Sequence, residues 1–336
     1  MSNLKDVAKK AGVSVTTVSN FINNTKKVKD DTRVKILDAI KATGYRYNTA
    51  AASLKRNETD TRSIGIISIV DQNTFFSELF FKLESECVKR GYTVVTCFRQ
   101  EDTNTLKKYI SLITGKVDGI ILISIGREKI DEIIKNIHAI PVVAIPFDNS
   151  DVMTVCGGTH FDLHNETGGY IAGKYMIEKG HEHLACVTGP MNLQTTMDRL
   201  NGLNSALAEK NLTKENVRFV EGDYSYNSGL NAMYELYSSG ELPTAVICHN
   251  DLMAIGVQNA ANELGLKIPR DMSVIGYDDV EFARMSWPPL TTVKIHMDDI
   301  ASQALNELAS KISSPGTSAS ISVNPTLVVR GSVREL

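Results

Sequence analysis

The sequence predicts two kinds of fold in one chain: a small all-α unit with a helix-turn-helix, and a larger α/β core of two Rossmann-like subdomains. In the first 25 residues, two short amphipathic helices flank a glycine. From residue 63 onward, short apolar runs alternate with helical stretches, which is typical of parallel α/β units. Charge divides the chain similarly, because residues 1–60 hold 12 Lys and Arg against 6 Asp and Glu, whereas the whole chain has a net charge of −3.

The opening segment predicts a helix, a glycine turn and a second helix. Val7, Ala8 and Ala11 share one helical face. Gly12 follows at once, where a left-handed turn residue costs least, and Ser14 is placed to cap the next helix. This layout is the helix-turn-helix, whose second helix enters the DNA major groove. A small helical hairpin with ordinary solvated faces is the alternative.

The second helix presents short side chains to solvent. Val18 and Ile22 are four residues apart, and we expect them to pack back onto the first helix. Short polar side chains at its outward-facing positions and in its first turn can contact DNA phosphates and base edges. These candidate DNA-binding residues are Ser14, Val15, Thr16, Thr17, Ser19, Asn20 and Asn23. The nearby cationic residues Lys26, Lys27, Lys29 and Arg33 are candidates for phosphate contacts, which make affinity depend on salt.

A third helix is predicted from about Asp31 to Thr43. Acidic residues favour its first turn, and Gly44 ends it. We expect three of its apolar residues to face the first two helices: Val34, Leu37 and Ile40.

Several short segments resemble the lactose-repressor (LacI/GalR) family of bacterial transcription regulators. They are Lys5-Asp6-Val7-Ala8, Ala11-Gly12-Val13-Ser14, Thr17-Val18-Ser19 and Gly44-Tyr45. The resemblance implies that Val15, Thr16 and Asn20 read bases. Many relatives carry arginine where Asn20 stands. Arginine pairs with guanine, whereas asparagine suits adenine, so the resemblance leaves that base of the operator half-site open.

The resemblance also assigns a role to the alanine-rich segment after the predicted DNA-binding domain of residues 1–47. It implies that residues 48–61 are a hinge helix and linker, and that the helix folds on DNA beside its twin in a dimer. Leu54 matches the residue that inserts between two base pairs in the minor groove. Ala51 matches the small residue that lets the two hinge helices of a dimer lie close to each other. Relatives usually have proline where Tyr47 stands. A plain interdomain linker is the alternative.

The core, residues 62–336, is predicted to contain two similar halves. The predicted strands are Ile64–Val70, Thr93–Phe98, Gly119–Ile123, Pro141–Ile145, Leu184–Thr188, Ala245–Cys248 and Ser273–Tyr277. Two such halves place a ligand between them, at the carboxyl ends of the strands, and close around it by a hinge motion. The resemblance implies a periplasmic-binding-protein-like core, with an N-subdomain of about 62–161 plus 290–320 and a C-subdomain of about 162–289 plus 321–336.

The residues that match the family's cleft motifs are the candidate effector-binding residues. They are Asn73, Phe75, Phe76, His164, Thr195, Arg199, Tyr224, Asn250 and Asp278. Arginine and aspartate together make strong charge-assisted bonds to hydroxyl groups. His164 stands where relatives commonly have aspartate, which can shift ligand preference. Asp251 is expected to cap a helix, with Asn250 the better cleft candidate.

Other signals are weaker. The five cysteines form no Cys-x-x-Cys pair, which favours reduced thiols and a cytoplasmic location. His181-Glu182-His183 has poor metal-ligand spacing, and we expect neither a metal site nor a bound cofactor. The sequence has neither a phosphate-binding loop motif nor a Gly-x-Ser-x-Gly motif. Its longest apolar runs are too short to span a membrane.

These patterns predict a sequence-specific DNA-binding transcriptional regulator, and a repressor is favoured. We expect a homodimer on a near-palindromic double-stranded operator, controlled by a small-molecule effector that is a sugar or sugar derivative. The alternatives are a solute-binding protein or a sugar-modifying enzyme, and we expect no enzymatic activity. Some relatives use a phosphoprotein coregulator, which the sequence neither supports nor excludes.

Overall fold

A computed structural model describes residues 3–22, 26, 28–45, 61–69, 73–99, 103–123, 140–145, 159–314 and 319–336. It divides the chain into two compact units, residues 1–61 and residues 62–336. The predicted hinge helix, with Ala51 and Leu54, lies outside the described residues, as does Asn23.

The first unit contains the three predicted helices. They are α1 (Leu4–Ala11), α2 (Val15–Ile22) and α3 (Asp30–Thr43). Asn3 and Asp6 form a capping box at the start of α1, and Gly12 ends this helix with φ 67°. The predicted inner face of α1 is confirmed, because Val7, Ala8 and Ala11 are buried.

The predicted inner face of α3 was wrong for Val34 and Leu37, whereas Ile40 does pack against the first two helices as predicted. Val34 and Leu37 are exposed, at 57% and 42%, whereas Ile36 and Ala39 are buried. The helix packs on the others along the stripe of residues 36, 39, 40 and 43, which has the i, i+3, i+4, i+7 spacing of one helical face. Apolar character alone did not identify this face, since α3 carries apolar residues on two sides.

The second unit alternates strands and helices almost throughout. In chain order its elements are β1 (Ser63–Ile69), α4 (Thr74–Lys89), β2 (Thr93–Arg99), α5 (Thr103–Ile113), β3 (Gly119–Ile123), β4 (Val142–Ile145), β5 (His160–Asp162), α6 (Asn165–Glu178), β6 (Leu184–Thr188), α7 (Gln194–Glu209), a 3₁₀ turn (Lys214–Asn216), β7 (Val217–Glu221), α8 (Tyr226–Ser238), β8 (Ala245–Cys248), α9 (Asp251–Glu263), β9 (Ser273–Asp278), α10 (Glu281–Met285), β10 (Thr291–Lys294), α11 (Met297–Ser313), β11 (Ser320–Ser322) and β12 (Thr326–Val328).

Two sheets form the two lobes of this unit. The first lobe has a parallel four-stranded sheet in the order β2-β1-β3-β4. The second has a six-stranded sheet in the order β12-β10-β9-β8-β6-β7, parallel except for the pairing of β12 with β10. Helices cover both faces of a parallel sheet, which is why β3, β4, β6, β8 and β9 are buried along their whole length.

The chain crosses between the lobes in places that differ in part from the prediction. Residues 290–320 were expected in the first lobe, but Thr291–Lys294 pairs with β9 in the second sheet. The return crossing therefore follows Lys294, and α11 then packs against α4, β3 and β4. The crossing segments β5 and β11 pair with each other as a short parallel ladder.

Candidate functional site

The candidate DNA-reading surface is the start and outer face of α2. The Ser14 hydroxyl accepts a hydrogen bond from the Thr17 backbone N–H at 3.1 Å, so the predicted cap is present. Val15 and Thr16 are exposed, and Ser19 and Asn20 are half-buried. Short side chains on the first turns of this helix leave room for close approach to base edges.

The candidate effector site lies where strands of the second sheet end, and Arg199 of α7 lies at its centre. The Arg199 Nε donates to the Asn165 Oδ1 at 3.0 Å, and its Nη1 donates to the His249 carbonyl. The guanidinium lies over the Tyr277 ring, 3.6 Å from its centroid. Its Nη2 is 3.9 Å from an Asp278 oxygen. These contacts hold the guanidinium plane in one orientation.

Two tyrosine rings of this site lie against glycines. A Cβ atom at Gly168 would overlap the Tyr277 ring, and one at Gly189 would overlap the Tyr224 ring. The Tyr224 hydroxyl lies 2.8 Å from the Thr196 hydroxyl. The backbone of Tyr224 has φ 66°, in the left-handed region. A tyrosine held in this sparsely populated backbone conformation indicates that the surroundings dictate where its ring is placed.

Asp278 is a buried carboxyl group with an unusual proton affinity. It is 4% exposed, and it ends β9 with φ 113°. Burial raises its pKa to about 7, although the Arg199 charge opposes this shift, while Glu78 adds to it. Near neutral pH the group is therefore able to present either a carboxylate acceptor or a protonated donor to a ligand.

His249 lies beside this pair and stays neutral. Burial, reinforced by the Arg199 charge, lowers its pKa to about 3. The Gly189 backbone N–H approaches its Nδ1 at 3.4 Å. The imidazole therefore adds no positive charge to the site at physiological pH.

Asn250 and Asp251 have the opposite capping roles from those predicted. Asn250 caps α9, because its Oδ1 accepts from the Met253 backbone N–H at 3.0 Å, and its Nδ2 donates to the Tyr224 carbonyl at 2.8 Å. Asp251 is fully buried, and accepts from the Val280 N–H at 2.9 Å and the Thr292 hydroxyl at 2.6 Å. The reason is that α9 begins at Asp251, which puts Asn250 at the capping position.

The first lobe contributes the start of α4. Asn73 caps this helix, because its Oδ1 accepts from the Phe75 N–H at 3.1 Å. Phe75 is 3% exposed and belongs to the core. Phe76 is half-buried, with its ring edge-on to Phe75 at 5.7 Å. Of the two predicted aromatic contacts, Phe76 is therefore the better placed to reach a ligand.

His164 faces the crossing strands. Its Nε2 lies 2.6 Å from the Ser322 hydroxyl, and its Nδ1 lies 3.3 Å from the Asp162 carboxylate. It also lines a surface pocket of about 480 Å³ with Asn165 and Tyr170. Asn165 lines this pocket and also accepts hydrogen bonds from Arg199 and, at 3.5 Å, from the Tyr277 hydroxyl, so it belongs to both the pocket and the Arg199 site.

Thr195 completes the predicted effector-binding residues. It lies in the first turn of α7 and is 8% exposed. Sequence reasoning missed Asn165, His249 and Tyr277, although all three touch Arg199. Each belongs to a segment in which the sequence indicated a different residue, and only folding brings the three together around Arg199.

The weaker sequence signals have structural roles. His181 is buried, with Nδ1 3.0 Å from the Thr244 hydroxyl and Nε2 3.2 Å from the Arg334 carbonyl. Among the described residues, no group of histidine, cysteine and acidic side chains has a metal-binding arrangement. Cys87, Cys186 and Cys248 are buried free thiols. Within the described part of the chain, no helix is both long and apolar enough to cross a membrane.

Exposed apolar side chains occur on both lobes of the second unit. On the first lobe, Phe81 is 64% exposed on α4 and Phe98 is 49% exposed on β2, with Phe80 between them. On the second lobe, Met285 and Trp287 are 62% and 89% exposed. Single exposed apolar side chains are common, whereas a cluster such as that of Phe80, Phe81 and Phe98 is typical of an interaction surface.

Comparison with known families agrees with both units. Residues 3–48 match the description "Bacterial regulatory proteins, lacI family", and residues 174–333 match "Periplasmic binding protein-like domain".

Relatives and solved structures extend this match to the whole chain. The HTH-type transcriptional repressor PurR of Edwardsiella ictaluri (strain 93-146) is 37% identical over 340 residues, covering 100% of this chain and 98% of the relative. PurR of Haemophilus influenzae (strain PittEE) is 36% identical over 346 residues, which cover 100% of this chain and 100% of the relative. The Lac repressor dimer bound to operator and the anti-inducer ONPF has a TM-score of 0.80 at 25% identity, with 99% of both chains covered. A complex of the transcriptional regulator CelR with cellobiose has a TM-score of 0.67 at 26% identity, covering 99% of this chain and 100% of that one.

The predicted fold class is therefore confirmed: a small all-α helix-turn-helix DNA-binding domain plus an α/β periplasmic-binding-protein-like core of two Rossmann-like subdomains. The full-length relatives are named as transcriptional repressors rather than as enzymes. The partners of such a protein are operator DNA, a small-molecule effector and a second copy of the chain. The chain belongs to the LacI family of bacterial transcriptional repressors.

Proposed function

We propose that a small ligand bound beside Arg199 and Asp278 controls how tightly the dimer holds its operator. The observation that carries this proposal is the buried Arg199–Asp278 pair, placed between the Tyr277 and Tyr224 rings at the ends of the strands. Charged groups are buried at a cost in free energy, and such pairs with perturbed pKa values concentrate at functional sites. A ligand that bridges the lobes would bind one lobe arrangement better and so shift the operator affinity, and operator would change ligand affinity by the same factor.

The ligand is proposed to be a polar ring compound. Arg199 donates hydrogen bonds, Asp278 with its pKa of about 7 can accept or donate, and aromatic faces are supplied by Tyr224 and Phe76. A sugar or sugar derivative fits this chemistry, as the sequence predicted. A purine fits it as well, because a planar heterocycle stacks on aromatic rings and has both donors and acceptors at its edge.

Binding to a pool of genomic DNA fragments, with and without sugars, sugar phosphates and purines, tests both parts of the proposal. We expect one near-palindromic sequence to be enriched, and one compound to change its enrichment. The Asp278→Asn variant should keep the same DNA sequence but lose the response to that compound. Asp223→Asn, which removes a carboxylate hydrogen-bonded to Ser225, is the matched control. Absence of sequence-selective DNA binding at low salt would contradict the repressor mechanism.

We further propose that the second copy in the dimer covers the exposed apolar flank defined by Phe81, Phe98, Met285 and Trp287. A 2.8 Å hydrogen bond joins the Glu281 N–H to Glu78, so α4, which carries Phe81, and α10, which ends at Met285, are neighbours. Interfaces of this kind are rich in aromatic residues and methionine. A change in the angle between the lobes would shift the two halves of this surface against each other.

A further inference from the structure

One hydrogen bond joins the two lobes next to the effector site. The Glu78 carboxylate on α4 of the first lobe accepts it from the Glu281 backbone N–H, at 2.8 Å. Glu281 is the first residue of α10 in the second lobe, and the preceding residue, Val280, makes no side-chain cap. The first turn of a helix leaves its amides without intrahelical partners. Glu78 therefore supplies from one lobe the cap that α10 lacks in the other.

The surroundings of Glu78 are rich in charge. Together with burial, the negative charges of Asp279 and Glu281 raise the pKa of Glu78. Together with burial, the charge of Glu78 in turn raises the pKa of Asp278. Burial is the largest cause that raises the pKa of Glu78, and the two acidic neighbours add to it, while the Glu281 N–H and Lys82 lower it.

The cations near this cluster have partners of their own. Lys82 pairs with Asp298 at 3.0 Å, and Arg284 pairs with Glu281. Asp279 is bound by Arg330 at 2.5 Å and by Lys294 at 3.4 Å. Arg199 lies 3.9 Å from Asp278. In this structure the charge of Glu78 therefore acts on Asp278, whose ion-pair partner Arg199 also bonds to Asn165 and His249.

We propose that Glu78 is a latch that holds the two lobes together, and that its engagement takes up a proton, so that the lobes close more readily in mildly acidic solution. When the lobes separate, Glu78 returns to water and its pKa falls towards the ordinary value. A group whose pKa is higher in the closed state favours closure as the pH falls. A protonated carboxyl still accepts the Glu281 N–H bond through its carbonyl oxygen, so the latch survives protonation while the repulsion is removed.

Hydrogen exchange of the full-length protein, followed by mass spectrometry from pH 4 to 8 and corrected for intrinsic exchange, tests this latch without any ligand. The reporter is a peptide that spans residues 279–286. In the unmodified protein we expect protection of this peptide to decrease as the pH rises. Glu78→Ala should reduce protection about tenfold, because the amide loses its partner.

Glu78→Gln separates the hydrogen bond from the charge. Its amide oxygen still accepts the bond but takes up no proton, so we expect protection at pH 8 to match or exceed that of the unmodified protein and to lose its pH dependence. Glu241→Gln, at an exposed position of the second lobe, should behave like the unmodified protein. Unchanged protection in Glu78→Ala would disprove the latch, and an unchanged pH dependence in Glu78→Gln would disprove proton uptake. These outcomes do not depend on which compound is the effector.

Discussion

At Asp278, burial opposes ionisation while Arg199 favours it, and burial has the larger effect. Its pKa is raised to about 7 in the folded protein, against 3.8 for an ordinary aspartate. Between these two values the unfolded chain gives up a proton that the folded protein keeps. Stability from this group therefore decreases as the pH rises from about 4 to about 7, and changes little above that range.

Replacing Asp278 by asparagine should remove this dependence. Between pH 5 and pH 8, we expect Asp278→Asn to lose less stability than the unmodified protein by roughly 2–3 kcal/mol, since about two pH units lie between pH 5 and the raised pKa and each corresponds to about 1.4 kcal/mol. Urea unfolding of both proteins at several pH values measures the difference. Asp223→Asn is the control with the opposite sign, because bonds from Ser225 lower the pKa of Asp223 and its contribution is lost only in more acidic solution. Parallel curves for Asp278→Asn and the unmodified protein would contradict the raised pKa.

Asn20 is the residue where the DNA specificity of this chain is predicted to depart from that of many relatives. If it reads adenine, Asn20→Ala should weaken binding to the selected operator by about 1–3 kcal/mol for each half-site and relax preference at one base. Lys29→Ala, at an exposed position just before α3, should instead weaken binding to all sequences and reduce the salt dependence. Fluorescence anisotropy with operators changed at single bases distinguishes the two patterns. Equal losses on every sequence in Asn20→Ala would exclude base reading.

At the scale of elements, the close crossing of α6 and α7 positions Arg199. A Cβ atom at Gly202 would overlap the Glu166 carbonyl, and one at Gly169 would overlap the Arg199 carbonyl. Gly202→Ala should therefore force the helices apart, lower stability by about 1–3 kcal/mol, and weaken the response to effector although residue 202 is not itself among the predicted effector contacts. Asn201→Ala, at the exposed neighbouring position, is the control and should change neither property. Thermal unfolding and the effector response of operator binding measure both effects.

The sequence predicted best those strands that are short runs of apolar or β-branched residues. Each predicted strand is present within one residue at either end, whether it is buried on both faces, as β3 is, or lies at a sheet edge, as β2 does. Of the missed strands, β7 alternates buried and exposed residues at a sheet edge, and β5, β11 and β12 have only three residues each. The remaining missed strand, β10, is mostly buried but has only four residues and lies just after Pro288 and Pro289. Their pairing is decided by partners far away in the chain.

For the candidate effector site, too, the sequence predicted some residues and missed others. Motifs placed Arg199 and Asp278 in loops and helix starts that the structure does bring together. No local pattern could show that Asn250 turns its amide towards Tyr224, or that Glu78 reaches an amide 203 positions further along the chain. Such contacts depend on how helices pack across the sheet and across the lobes, and a single sequence does not record that packing.

At the scale of the whole molecule, two-fold symmetry connects the ligand site to DNA. A dimer presents two recognition helices to the two halves of a near-palindrome. If the second copy covers the apolar flank, as proposed, operator binding should require that surface. Phe81→Asp places a charge in the middle of that surface. We expect this variant to be a monomer by analytical ultracentrifugation and to lose tight operator binding, while its circular dichroism spectrum stays unchanged.

Trp287, the one tryptophan of the sequence, gives the same experiment an independent optical signal. Its side chain is 89% exposed in the single chain, so a second copy that covers it should shift its emission to shorter wavelength and protect it from iodide. Phe81→Asp should reverse both effects, because without a dimer the indole ring faces water. Tyr237→Asp changes an exposed aromatic side chain on α8, and it should leave dimerisation, fluorescence and operator binding as they are. If Trp287 were equally accessible to iodide in the dimer and in the Phe81→Asp monomer, the second lobe would not contribute to the interface, and lobe closure would have to reach the DNA through the first lobe alone.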